Sequence, residues 1–96
     1  MTGNDLKLLQ DFTLSAQGKA ALGDLLQTLE TETGPGRLVS AENDFLIAAA
    51  QVTGEASASY VTGQEKQAHQ LLHLVLTEHQ DQGVAGLQQL RKDLNL

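Results

Sequence analysis

The stretch from Thr62 to Gln80, TGQEKQAHQLLHLVLTEHQ, constrains this chain most, because it joins a helix start signal to an unusually wide apolar arc. Thr62 is placed to cap the first turn, and Glu65, three residues on, to bond back to the cap nitrogen, so Thr-Gly-Gln-Glu reads as a capping box. At about 100° per residue from Ala68, the side chains of Leu71, Leu72, Val75 and Leu76 cluster around zero. Leu74 falls near about 240°, among Gln67, Gln70, Glu78 and Asp81. An apolar arc of about 200° belongs either to the central helix of a bundle or to a helix with a second contact surface. On the second reading Leu74, with Gln67, Gln70 and Glu78 around it, marks a partner-binding surface.

Four further segments carry helical spacing. Near the front, Asn4 or Asp5 is the expected cap of a short helix with Leu6, Leu9 and Phe12 inward. Ser15 precedes a stronger pattern in Ala21, Leu22, Leu25, Leu26 and Leu29, which closes in the polar run Glu30 to Thr33. Gly18 and Gly23 each cost about 1 kcal/mol relative to alanine inside that helix, so it needs tertiary support or close packing. Gly34-Pro35-Gly36 predicts a loop, since proline cannot continue a helical ladder and the residue before it avoids αR. Ser40 is the next expected cap, with Glu42 and Asp44 in the first turn where the helix dipole favours negative charge. That helix is expected from about Ala41 into the region 57–60, burying Phe45, Ala48, Ala49, Val52 and Ala56. Ala50, Gly54 and Ala58 repeat at four-residue spacing, a pattern that permits close helix approach, while the same residues also fit an early helix end.

After the fourth helix, Asp81-Gln82-Gly83 predicts a turn, and Val84, Leu87, Leu90 and Leu94 space out a last short helix. Arg91 and Lys92 fall in its final turns, where cations complement the dipole. Short connections between sequential helices predict antiparallel neighbours, so residues 1–96 are expected to form a single all-α domain, a compact four- to five-helix antiparallel bundle. A short internal echo, Asp24-Leu-Leu to Thr33-Gly34 against Asp44-Phe-Leu to Thr53-Gly54, is too short to establish a repeat.

Composition narrows the function classes. A 96-residue chain buries roughly 60–65% of its unfolded surface, enough for one modest core. Leucine is the commonest apolar residue, with Phe12, Phe45 and Tyr60 the aromatic residues, which favours helix packing over sheet. Twelve acidic side chains against six basic ones, a net charge of −6, oppose direct binding to nucleic acid or an anionic membrane and suit a basic protein partner. No apolar run approaches the 18 or more residues of a membrane span, and the first residues carry no secretory pattern. Without cysteine there is no disulfide framework or thiolate metal site, and a cytoplasmic setting is expected.

Candidate chemistry is sparse. Glu65, His69 and His73 fall at i, i+4 and i+8, and two imidazoles four residues apart can share a divalent transition metal. Gln70 stands where a zinc-protease helix needs glutamate, and Glu65 is already used by the capping box; His79 is rotated away from the pair. The pairs Glu30/Glu32 and Glu42/Asp44 sit at offsets of two and point to different sides of a helix, so they form no acid–base pair. Gly34-Pro35-Gly36-Arg37 lacks both the Lys-Ser/Thr of a phosphate loop and a preceding strand. No catalytic, metal or cofactor site is expected.

Asp44-Phe-Leu-Ile-Ala-Ala-Ala through Tyr60-Val-Thr-Gly63, followed by a leucine-rich helix and Leu87-Gln-Gln-Leu-Arg91, resembles the small helical head–tail connector proteins of tailed phages over about half of the chain. The stretch Leu74 to Gln80 departs from that pattern in lacking aromatic residues. Length and helix count are also similar to bacteriocin immunity proteins, which are commonly basic where this chain is acidic. The resemblances imply a phage structural role or an immunity-type role, and neither carries a site residue onto this chain. The expectation that follows from the residues is a non-enzymatic interaction protein, self-associating as a homodimer or engaging a protein partner through the fourth helix, with metal binding at His69 and His73 as the alternative.

Overall fold

Thr2 opens the first helix. Its hydroxyl accepts a hydrogen bond from the Asp5 N–H at 3.2 Å, and the Asp5 carboxylate accepts back from the Thr2 N–H at 3.5 Å. Helix α1 (Gly3–Phe12) therefore begins with a capping box. The cap expected at Asn4 or Asp5 lies at Thr2 instead, because the Thr2/Asp5 pair satisfies two orphan amides where a single Asx cap would satisfy one.

The computed structural model describes residues 2–31, 35–53 and 62–96, with side chains over 2–31, 36–52 and 66–96. Four helices account for most of them: α1, α2 (Ala16–Thr31), α3 (Pro35–Thr53) and α4 (Thr62–Asp93). The described residues contain no strand. The all-α bundle read from the leucine spacing is thus present, with four helices and not five.

Ser15 caps α2, its Oγ accepting from the Gly18 N–H at 2.9 Å. Gly18 itself is buried, and a Cβ there would collide with the Phe12 carbonyl oxygen, so the end of α1 and the first turn of α2 can meet only across a glycine. Gly23 has nothing within 4 Å of such a Cβ.

Helix α3 starts six residues before the expected Ala41, at Pro35 itself. Proline suits the first helical position: its fixed φ is already helical, and its missing N–H is one that no intrahelical carbonyl would have accepted. Ser40 consequently lies inside the helix and not at its cap. The expected end of this helix at 57–60, the repeat through Gly54 and Ala58, and the side chains of the Thr62/Glu65 capping box lie outside the described residues.

Helix α4 is bent at Gly83, whose φ of 65° and ψ of −146° are non-helical. The turn read at Asp81-Gln82-Gly83 is there, but helix resumes at once, leaving one element with two arms. Across the bend Gly86 lies tight on the preceding arm: a Cβ would stand 2.7 Å from Gln82 Cβ and 2.9 Å from the Glu78 carbonyl oxygen. The far end closes with Asn95 at φ 57°. There Leu96 N–H bonds to Arg91 O at 3.0 Å and Asn95 N–H to Lys92 O at 3.2 Å, the paired bonds of a Schellman motif.

Buried side chains from all four helices form one core. Leu9 and Phe12 enter from α1, Leu22, Leu25, Leu26 and Leu29 from α2, Phe45 and Ala49 from α3, and Leu71, Val75, Leu87 and Leu90 from α4. No polar or charged residue is buried among those described. Helix α4 packs against each of the other three. Its apolar arc enters the core through Leu71, Leu72 and Val75, with Leu74 partly buried against it. The radius of gyration, 12.7 Å, is close to the about 12.5 Å expected of a compact chain this long.

Candidate protein-interaction surfaces

Three regions of the surface are candidates for contact with another molecule. The first is the one read from α4. Leu74 is half-buried and packs against the core, Gln67 and Glu78 are half-buried, and Gln70 is exposed. Part of the leftover leucine is thus absorbed by the bundle, and the apolar area it presents outward is small.

The second surface lies on the outside of α3. Val39 and Ile47 are 58% and 62% exposed. They stand eight residues apart with Asn43 midway, which places all three within about 80° on the side of α3 opposite Phe45. Ala50 and Leu46, both partly exposed, border the same stripe. The opposite side of α3 carries Phe45 and Ala49 into the core, so this helix is apolar on two sides. The sequence held the spacing that marks this stripe, but a helix taken to begin at Ala41 leaves Val39 in a loop and hides it.

The third is a cleft of about 550 Å³ along the α2–α3 hairpin. Helix α2 ends at Thr31 and α3 begins at Pro35, and the two pack along their length, so they run antiparallel and the cleft extends from Thr31 and Arg37 at one end to Ala21 and Ala48 at the other. Leu25 and Phe45 are the buried side chains beneath it, and Asp24 and Asp44 are exposed on its two walls. Thr28 donates to the Asp24 carbonyl oxygen at 2.9 Å, and Thr31 to that of Gln27 at 2.8 Å. Both threonine hydroxyls on the α2 wall therefore use their proton internally and keep acceptor capacity alone for anything in the cleft.

The ligand-like histidines are exposed: His69 and His73 lie on the outer side of α4, while the Glu65 side chain lies outside the described residues. Among the described residues no three His, Cys, Asp or Glu side chains gather closely enough to hold a metal. Glu42 and Asp44 point apart as their offset requires, for Asp44 lines the cleft and Glu42 does not. Arg91 does more than complement a helix end. Its Nη2 lies 3.6 Å from Glu30 Oε2, an ion pair between α4 and α2 with side chains 31% and 19% exposed. The other Glu30 oxygen, Oε1, is buried without a hydrogen-bond partner, as is His79 Nδ1. No described helix is long and apolar enough to cross a membrane.

Comparison of the chain with protein-family models, with curated proteins and with solved structures finds no match. The functional reading accordingly rests on these surfaces.

Proposed function

We propose that this chain is a non-enzymatic interaction protein of the cytoplasm that self-associates through the outer face of α3. The observation that carries the reading is the exposed pair Val39 and Ile47 on a helix whose other side is already in the core. A helix at the surface of a lone bundle ordinarily keeps its outer face polar, and an apolar stripe there is removed from water by association.

The spacing suits a second copy. Val39 and Ile47 each lie four residues from Asn43, so two α3 helices crossing antiparallel at Asn43 set Val39 of one against Ile47 of the other, twice, as an isologous contact requires. Glu42 and Asp44 lie about 100° to either side of the stripe and leave its seam uncharged. Leu74, with Gln67, Gln70 and Glu78, is the smaller surface, available to a different protein partner.

Light scattering over a wide concentration range tests this on the wild type, the double variant Val39→Glu/Ile47→Glu, and Leu74→Glu. A dimer dissolved by the α3 substitutions and kept by Leu74→Glu is the expected result. A wild type that stays monomeric throughout, or a dimer lost only with Leu74→Glu, removes the α3 reading.

A further inference from the structure

We infer that the α2–α3 cleft is a docking groove for a short basic amphipathic helix, a proposal that rests on the interaction-protein reading but not on self-association. Its apolar part is shallow and open: Ala21, Ala41 and Ala48 end at Cβ over the buried Leu25 and Phe45, leaving room for a partner's branched side chains. Along α2 the cleft extends from Ala21 to Thr31, about 15 Å at 1.5 Å per residue, the length of about three helical turns.

The polar groups choose the partner's charge. Asp24 and Asp44 stand on facing walls, and neither takes part in an ion pair among the described residues. The threonine hydroxyls beside Asp24 are committed as donors to their own backbone, so that wall offers acceptors. Arg37 lines one end and alanines the other, which leaves the acidic pair in the middle. A ligand rich in N–H⁺ donors flanking an apolar stripe matches this pattern, and helix-in-groove recognition presents such groups at i, i+3, i+4 and i+7. A second copy set groove to groove fits poorly here, because Asp24 and Asp44 of each would stand against those of the other, and like charges brought together repel.

Ala21-x-x-Asp24-Leu25 and Ala41-x-x-Asp44-Phe45 lie on opposite walls, and because α2 and α3 run antiparallel, the groove presents alanine, aspartate and a buried apolar residue in both directions.

The probe is a fluorescein-labelled leucine–lysine peptide of about three helical turns, titrated with the full chain and read by fluorescence anisotropy at low and high salt. Three variants accompany the wild type: Asp24→Asn/Asp44→Asn, the control Glu42→Gln/Asp81→Asn with the same change of net charge outside the groove, and Ala48→Leu, which fills it; circular dichroism checks that each is helical. The expected result is salt-sensitive binding weakened about tenfold by the groove pair, about twofold or less by the control pair, and clearly weakened by Ala48→Leu. Equal weakening by both charge pairs, or a wild type that does not bind, overturns the groove. Light scattering on the same samples separates the two readings: a wild type that dimerises yet ignores the peptide removes the groove alone, and a monomer that ignores it removes both.

Discussion

The rings of Phe12 and Phe45 meet edge to face, their centroids 5.8 Å apart and their planes inclined by 63°. This contact ties the end of α1 to the middle of α3, and Phe45 lies at the same time beneath the α2–α3 cleft. Truncating Phe12 or Phe45 to alanine should lower stability by about 3–5 kcal/mol, against a total of about 5–14 kcal/mol for a chain of this length. Urea unfolding of the two single variants and the double measures it, and a coupling of about 0.5–1.5 kcal/mol is expected between the rings. Additive losses would mean that the edge-to-face contact contributes nothing beyond burial.

Two glycines of the same helix should respond in opposite senses to alanine. At Gly18 the new methyl runs into the Phe12 carbonyl oxygen, and the shift it forces should cost more than the about 1 kcal/mol gained in helix propensity. At Gly23 nothing lies within 4 Å, so alanine should stabilise by about 0.5–1 kcal/mol. Thermal unfolding of the two variants side by side gives the signs directly; a raised melting temperature for Gly18→Ala would show that α1 and α2 do not meet there as described.

Gly83 should tolerate neither alanine nor asparagine. Its φ of 65° combines with a ψ of −146°, outside the left-handed helical basin in which asparagine is at ease, and strain there is of the order of 1–3 kcal/mol. Equal destabilisation by Gly83→Ala and Gly83→Asn is expected in denaturant titrations. Rescue by asparagine would place the bend in the left-handed helical region instead.

The Glu30–Arg91 pair predicts an asymmetry. Arg91→Met strands a mostly buried carboxylate, one of whose oxygens already lacks a hydrogen-bond partner, and should cost about 1–3 kcal/mol. Glu30→Met leaves a guanidinium that is 31% exposed and able to regain water, so its cost should be smaller. Comparable losses for the two variants in urea would contradict this account.

Much of the fold is legible in the sequence. The spacing of Leu22, Leu25, Leu26 and Leu29 and of Leu71, Leu72 and Val75 marked the buried sides of α2 and α4, and Gly83 marked the bend, because helical period and glycine conformational freedom are local properties of the chain. The start of α3 at Pro35, and not at the expected Ala41, has an equally local reason. Proline breaks a helix from within but opens one at its first position, and neighbouring residues alone do not say which role it has. The six residues between the two starts include Val39, and with it one end of the stripe on which the proposed self-association rests.

What the linear order of residues settled, then, is which sides of each helix avoid water and where the helices break. Which neighbour covers each side was settled by packing over long chain separations. The packing of α4 on α2 and α3, the partial burial of Leu74, the partnership of Arg91 with Glu30 and the facing positions of Asp24 and Asp44 all arise between helices. A residue's angle about its own helix axis is set by its immediate neighbours in the chain, but what stands opposite it depends on how whole helices fit together.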